Sequence, residues 1–229
     1  MLKNYGVILA SGTGSRFGAE VPKQFLLLKG KTILEYAIEA FEKSEYIDEI
    51  ILVITPEYLD KAKNIVQKKD YKKVLKILAG GETRKDSSRI AISAINDSEA
   101  NVLIHDCARP LLPTEIIEKC VMALQNNIAV DVAVPTTDTV LEVHEGIITC
   151  VPERKNLMSS QTPQCFRLSL IKKAHELAKD GACFTDDCGL VMKYNLARIF
   201  VVEGAFENFK ITYPLDIKYA ESILELRGN

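Results

Sequence analysis

Apolar runs of strand length alternate with helical patterns along the chain up to Val134. Tyr5–Ala10, Glu49–Ile54, Val74–Ala79, Asn101–His105 and Ala129–Val134 are short, apolar or β-branched runs. Between them, Ile33–Glu42, Pro56–Lys68, Asp86–Ile95 and Thr114–Gln125 carry apolar residues at helical spacing. Pro56 suits a first helical turn, and Thr114 is a fair N-cap. This alternation predicts βαβ units: an α/β, Rossmann-like three-layer sandwich with a mostly parallel sheet. Crossovers are expected to be right-handed, with ligands at the carboxyl ends of the strands.

The pattern changes after Pro135. Thr139–Val143 and Gly146–Val151 alternate weakly around Glu145-Gly146, a hairpin signal. Few bulky apolar residues face a core there, so residues 136–166 are expected to form a protruding β-arm. Helices return at Ser169–Lys179 and at Thr185–Tyr194, with Thr185 as N-cap. Ala197–Glu203 reads as a strand and Pro214–Leu226 as a closing helix. The expectation is one domain over residues 1–229.

Apolar residues make up 47% of the 229, enough for a full core. A formal net charge of −2 argues against general nucleic-acid binding but leaves room for a basic pocket. No apolar run approaches membrane-span length, and no membrane partner is expected. The chain enters its first strand without the features of a secretory leader, so a cytoplasmic location is expected. The six cysteines (107, 120, 150, 165, 183 and 188) contain no C-x-x-C pair. Disulfides and zinc ribbons are not expected, and all six read as small buried or half-buried residues.

Candidate chemistry begins after the first strand. Ala10-Ser11-Gly12-Thr13-Gly14-Ser15-Arg16 is a small-residue loop ending in a cation, and Pro22-Lys23-Gln24 follows. Small residues let backbone N–H groups approach an anion, and Arg16 and Lys23 add positive charge. The dinucleotide fingerprint fails because Phe17 stands where its last glycine belongs, and no G-K-[ST] triplet makes an ATPase P-loop.

Three further clusters follow. Gly80-Gly81-Glu82-Thr83-Arg84-Lys85-Asp86-Ser87 reads either as a ligand loop or as a glycine turn with Asp86 or Ser87 capping a helix. His105-Asp106-Cys107-Ala108-Arg109 places a carboxylate at a strand end, where a metal on phosphate oxygens can be held. Arg109 suits an anion, or equally a structural pair with Asp106. His105 reads as packed, His144 and His175 as surface residues. The last cluster is distributed over Asp138-Thr139, Arg154, Gln161-Thr162-Pro163-Gln164, Thr185-Asp186-Asp187 and Asn208-Phe209-Lys210-Ile211-Thr212.

In this order, from Gly6 to about Ile223, these motifs resemble the 2-C-methyl-D-erythritol 4-phosphate and ribitol-5-phosphate cytidylyltransferase family. The resemblance implies an enzyme, a nucleotidyltransferase that moves CMP from CTP to a polyol phosphate and releases pyrophosphate. It implies that Arg16, Lys23 and Lys210 gather charge at the α-phosphate. Ala10, Ser11, Gly12, Gly14, Gly81, Ser87 and Asp106 would bind the nucleotide, and Asp106 would also hold Mg²⁺. Arg109, Thr139, Arg154, Thr162 and Thr185 would contact the acceptor. The arm resembles a dimerising arm, so a homodimer is implied, in which Thr139, Arg154 and Thr162 can complete a neighbour's site. Ser11 and Leu157-Met158 depart from the isoprenoid spelling, Ala-Ala-Gly and Leu-Trp, toward the ribitol type. Thr185-Asp186-Asp187 and Asn208–Thr212 lean back. Methylerythritol phosphate is the first expected acceptor, and ribitol-5-phosphate or another alditol phosphate the second. A nucleotide-binding regulator without chemistry and a hexose-phosphate nucleotidyltransferase are the other classes weighed.

Overall fold

The structure, a computed structural model, describes residues 2–12, 21–97, 99–178 and 184–228. In chain order its elements begin with β1 (Lys3–Ala10), the small hairpin β2 (Leu27–Leu28) and β3 (Lys31–Thr32), α1 (Ile33–Glu42), β4 (Glu49–Ile54) and α2 (Leu59–Lys69). Then come β5 (Val74–Ala79), α3 (Arg84–Ser93), β6 (Ala100–Asp106), α4 (Thr114–Ala123) and β7 (Ala129–Pro135). They continue through β8 (Glu142–His144), β9 (Ile147–Cys150), β10 (Met158–Ser160), β11 (Gln164–Arg167) and α5 (Leu168–Leu177). The chain closes with α6 (Asp187–Lys193), β12 (Phe200–Glu203) and α7 (Pro214–Leu226).

The main sheet has eight strands. β1 lies between β4 and β6, parallel to both, and β5 adds parallel to β4 at one edge. β11 runs antiparallel between β6 and β7, β10 continues that antiparallel pairing along β7, and β12 pairs parallel with β7. The sheet is therefore mostly parallel.

Side-chain alternation along each strand divides the core in two. Ile8 and Ala10 of β1 and Ile50, Leu52 and Ile54 of β4 pack on one face with α1, α4 and α7. Tyr5, Val7 and Leu9, with Ile51 and Val53, pack on the other with α3, α5 and α6. Such double coverage explains why the central strands read as unbroken apolar runs. Among the described residues no helix is long and apolar enough to cross a membrane.

Several element ends differ from the sequence expectation. Pro56–Tyr58 forms a 3-10 turn before α2. α3 is capped by Thr83, not Asp86 or Ser87: the Thr83 hydroxyl accepts from the Asp86 N–H at 3.1 Å, and the Asp86 carboxylate accepts from the Thr83 N–H at 3.2 Å. Pro113, not Thr114, is the N-cap of α4. Asp186, not Thr185, caps α6 by accepting from the Gly189 N–H at 2.8 Å.

The arm is shorter than expected. The return strands β10 and β11 belong to the main sheet, and Phe166 is fully buried there. What protrudes is the stretch with the β8–β9 hairpin, turned by Glu145 and Gly146 at φ 51 and 81°. Val143, Ile147, Ile148 and Val151 on it are exposed. Cys150, also there, is exposed rather than buried; Cys107, Cys120, Cys165 and Cys188 are buried as expected, and Cys183 lies outside the described residues. His175 is likewise no surface residue: α5 packs it against α6, 5% exposed.

One close contact fixes α1 on the sheet. A Cβ at Gly6 would lie 2.5 Å from Cδ1 of the fully buried Phe41. Gly6→Ala is therefore expected to lower stability by about 1–3 kcal/mol through overpacking, read as a drop in the chemical-denaturation midpoint. An unchanged midpoint would contradict this packing.

Candidate functional site

The strand ends β1, β5 and β6 open into one cavity of about 320 Å³. Its wall includes Ala10, Ser11, Gly12, Lys23, Gln24, Gly81, Arg84, Asp106, Cys107 and Lys210. β1 runs straight into Ser11 and Gly12, and β6 ends on Asp106, which lies in register with Leu9 of β1. The two lysines come from opposite ends of the sequence. Lys23, in the 3-10 turn Lys23–Phe25, donates to the Ile211 carbonyl at 2.7 Å, and Lys210 donates to Asp106 Oδ2 at 2.6 Å.

Arg84, also in the wall, joins two carboxylates. Its Nε donates to Asp106 Oδ1 at 3.0 Å and its Nη1 to Asp187 Oδ2 at 2.7 Å. Asp187 is anchored in turn: its Oδ1 accepts from the Ser88 hydroxyl at 2.6 Å and from His175 Nε2 at 3.2 Å. Burial pushes both carboxyls up, but the adjoining cations outweigh it. Arg84 and Lys210 hold Asp106 well below the usual carboxylate range. Arg84, helped by His175 and Ser88, brings Asp187 down to about 2. Both are therefore ionised at neutral pH. Burial pushes the Cys107 thiol up, so this sulfur in the cavity wall stays protonated and is no nucleophile.

A second network braces the floor. The Thr162 hydroxyl accepts from the Asp106 backbone N–H at 3.1 Å and meets His105 Nδ1 at 2.9 Å. His105 Nε2 lies 3.0 Å from the Arg109 carbonyl, which can only accept. Nε2 thus carries the proton and Nδ1 accepts from Thr162. Burial pushes His105 down to about 4 and keeps it neutral. Asn208 is fully buried and donates to Gln161 Oε1 at 3.1 Å and the Thr162 carbonyl at 2.9 Å. Gln164 Oε1 accepts from the Asp187 N–H at 2.9 Å. Gln161–Gln164 is thus a brace between three loops, not a simple turn.

The expected site residues divide accordingly. Ala10, Ser11, Gly12, Lys23, Gly81, Asp106 and Lys210 meet at the cavity. Ser87 stands behind Ser11, fully buried. Gly14 and Arg16 lie outside the described residues. Arg109 does not pair with Asp106; it donates to the Asn208 carbonyl at 2.8 Å and the Ser160 carbonyl at 3.2 Å. Thr162 is buried in the brace. Thr139 and Arg154 lie on the arm, exposed, with Arg154 on the Thr137 carbonyl at 3.0 Å. Thr185 is exposed before α6.

Arg84 and Asp187 form a buried ion pair at the cavity that the expected site residues do not include, although both stand in motifs singled out in the sequence. One signal was present. A cation in the first turn opposes the helix dipole, so Arg84 at the start of α3 requires nearby carboxylates.

A profile of the IspD family, described as 2-C-methyl-D-erythritol 4-phosphate cytidylyltransferase, matches residues 5–226. The chain is 40% identical, over 95% of its length and 91% of the relative's, to the 2-C-methyl-D-erythritol 4-phosphate cytidylyltransferase of Thermobifida fusca. It is also 40% identical to the bifunctional ribulose 5-phosphate reductase/CDP-ribitol pyrophosphorylase Bcs1 of Haemophilus influenzae; there the match covers 99% of this chain but about half, 49%, of the relative. Among solved structures, 4-diphosphocytidyl-2C-methyl-D-erythritol synthase of Anaerococcus prevotii superposes with a TM-score of 0.86 at 30% identity, covering 98% of this chain and 96% of that one.

The buried groups set two pH windows. Unfolded, His105 takes a proton near 6.5; folded, it refuses one until about 4, so its share of stability is lost as pH falls between those values. Asp187 works lower: its share is present above 3.8 and is lost as pH falls through about 2. Denaturant midpoints taken across the upper window should fall for the wild type and fall less for His105→Gln. Parallel profiles would contradict the burial of a neutral His105.

Proposed function

The chain belongs to the IspD family of 2-C-methyl-D-erythritol 4-phosphate cytidylyltransferases, and from that premise we propose that it transfers CMP from CTP to 2-C-methyl-D-erythritol 4-phosphate. An oxygen of the acceptor phosphate attacks the α-phosphorus, the bond to the β-phosphate oxygen breaks, and pyrophosphate leaves. Such a reaction asks for positioning and for cations where negative charge collects. The observation that carries this reading is the meeting of Lys23 and Lys210 at one cavity beside Asp106. Lys210 and Lys23 hold the phosphates, with Arg16 as a further cation on the loop. The small residues Ala10, Ser11, Gly12 and Gly81 leave room for a pyrimidine nucleoside.

The donor set fits Mg²⁺. Asp106 is an ionised carboxylate in the cavity floor, each of whose oxygens takes one bond from a cation. Among the described residues there is no cluster of three His, Cys, Asp or Glu for an all-protein cage. A single carboxylate with substrate phosphates is how Mg²⁺ is commonly held. Bound there it would screen the triphosphate and ease departure of pyrophosphate. Asp106 would hold it, with Arg84 fixing the carboxylate.

The arm supports a homodimer. Val143, Ile147, Ile148 and Val151 are exposed apolar side chains on or just after a two-stranded hairpin, a form that is marginal alone. Paired with a second copy, Thr139 and Arg154 would reach the neighbour's acceptor site, with Arg109 and Thr185 beside it. Sedimentation should show a dimer, and Ile147→Asp with Ile148→Asp a monomer. A monomeric wild type would overturn the arm's role.

A second acceptor has a specific observation behind it. The Haemophilus influenzae relative is named for CDP-ribitol synthesis. Pyrophosphate release with CTP and Mg²⁺ separates the two. Methylerythritol phosphate should be the better substrate by kcat/KM. Turnover with ribitol-5-phosphate alone would transfer the assignment to the second acceptor, and release with neither would defeat the enzyme reading.

A further inference from the structure

One hydroxyl in the cavity wall has a fixed polarity. Ser87 Oγ lies 3.0 Å from the Thr83 carbonyl, which can only accept, so the single Ser87 proton is committed there. The Gly81 N–H donates to the same oxygen at 3.2 Å. Ser11 Oγ lies 2.7 Å from Ser87 Oγ. With Ser87 already donating elsewhere, Ser11 must supply that proton. Its remaining capacity is two lone pairs, and of the two serines it is Ser11 that lines the cavity. Nor is its placement loose. A Cβ at Gly80 would fall 2.3 Å from Ser11 Cβ, so the glycine opens the space that the Ser11 side chain fills.

Charged and small residues both line the cavity. Lys23, Lys210 and Asp106 suit phosphates. Ser11 lines the cavity with the small residues Ala10, Gly12 and Gly81, its side chain set against Gly80 and Ser87, which leaves room for a base. We propose that the Ser11 hydroxyl, oriented by Ser87, is an acceptor-only reader of the base that selects a ring bearing an exocyclic amine over one bearing a carbonyl at that place. This rests on the CTP reading above. Cytosine donates from its amine to Ser11, whereas uracil would set a carbonyl against a lone pair and leave both unpaired.

The test compares kcat/KM for CTP, UTP and the triphosphate of 2-pyrimidinone riboside, which lacks the amine, in wild type, Ser11→Ala and Ser87→Ala. Wild-type turnover of CTP tests the transfer reading; the ratios between nucleotides test this one. If turnover fails, the same ratios are read as Kd by titration. Removing one such hydrogen bond should shrink the CTP preference over both competitors roughly three- to tenfold in Ser11→Ala. Ser87→Ala frees the Ser11 proton to point at a carbonyl, so UTP use should rise in absolute terms. CTP preferences unchanged within about twofold in Ser11→Ala would overturn the proposal. So would a Ser87→Ala enzyme whose UTP use does not rise.

Discussion

A guanidinium sealed between two carboxylates holds the working end of this fold together. Arg84 begins α3, Asp106 ends β6 and Asp187 begins α6, elements separated by long stretches of chain. Each charge is expensive to bury alone, and the three are tolerable only as a set. Stripping one partner from such a set costs about 3–5 kcal/mol, so the strand end, the helix start and the α6 cap are coupled. Ser88 and His175 extend the clamp into the far helical layer. The cavity floor therefore inherits rigidity from the core beneath it.

The opposite side of Asp106 is open to ligand chemistry. Lys210 reaches it from a loop near the C-terminus, and Lys23 closes on the same loop through Ile211. Asn208 and Gln161 tie that loop to β10 and β11. A site assembled from both ends of the chain needs such braces, because loops alone carry little rigidity. Under the proposed function, cations beside an ionised aspartate on a braced floor would supply the preorganised field that phosphoryl transfer requires.

Much of this was legible in the sequence, and the reasons differ by feature. Glu49–Ile54 and Ile33–Glu42 were readable to the residue because apolar period and length agree with burial, and Val74–Ala79 because its apolar run ends at Gly80-Gly81, although that edge strand is only half-buried. Thr114 and Thr185 were misread as caps because residue preference is blind to where the chain turns; Pro113 and Asp186 occupy those positions. The arm was drawn too long because Gln164–Arg167 is a short strand flanked by polar residues, and its burial comes only from lying between β6 and β7. Lys23 stood out as a cation after the small-residue loop and Asp106 as a carboxylate at a strand end, and Lys210 through the resemblance of its motif. Their convergence needs the fold, and so do the second partner of Arg84 and the burial of His175.

The account stands most directly on the claim that Arg84 fixes Asp106. Arg84→Lys keeps the charge but loses the fork that spans two carboxylates. Steady-state pyrophosphate release against Mg²⁺ concentration is the measurement, with a thermal melt to confirm folding. The account predicts a folded enzyme whose turnover falls about 10- to 100-fold and whose Mg²⁺ requirement rises. Wild-type turnover with an unchanged Mg²⁺ dependence would contradict it.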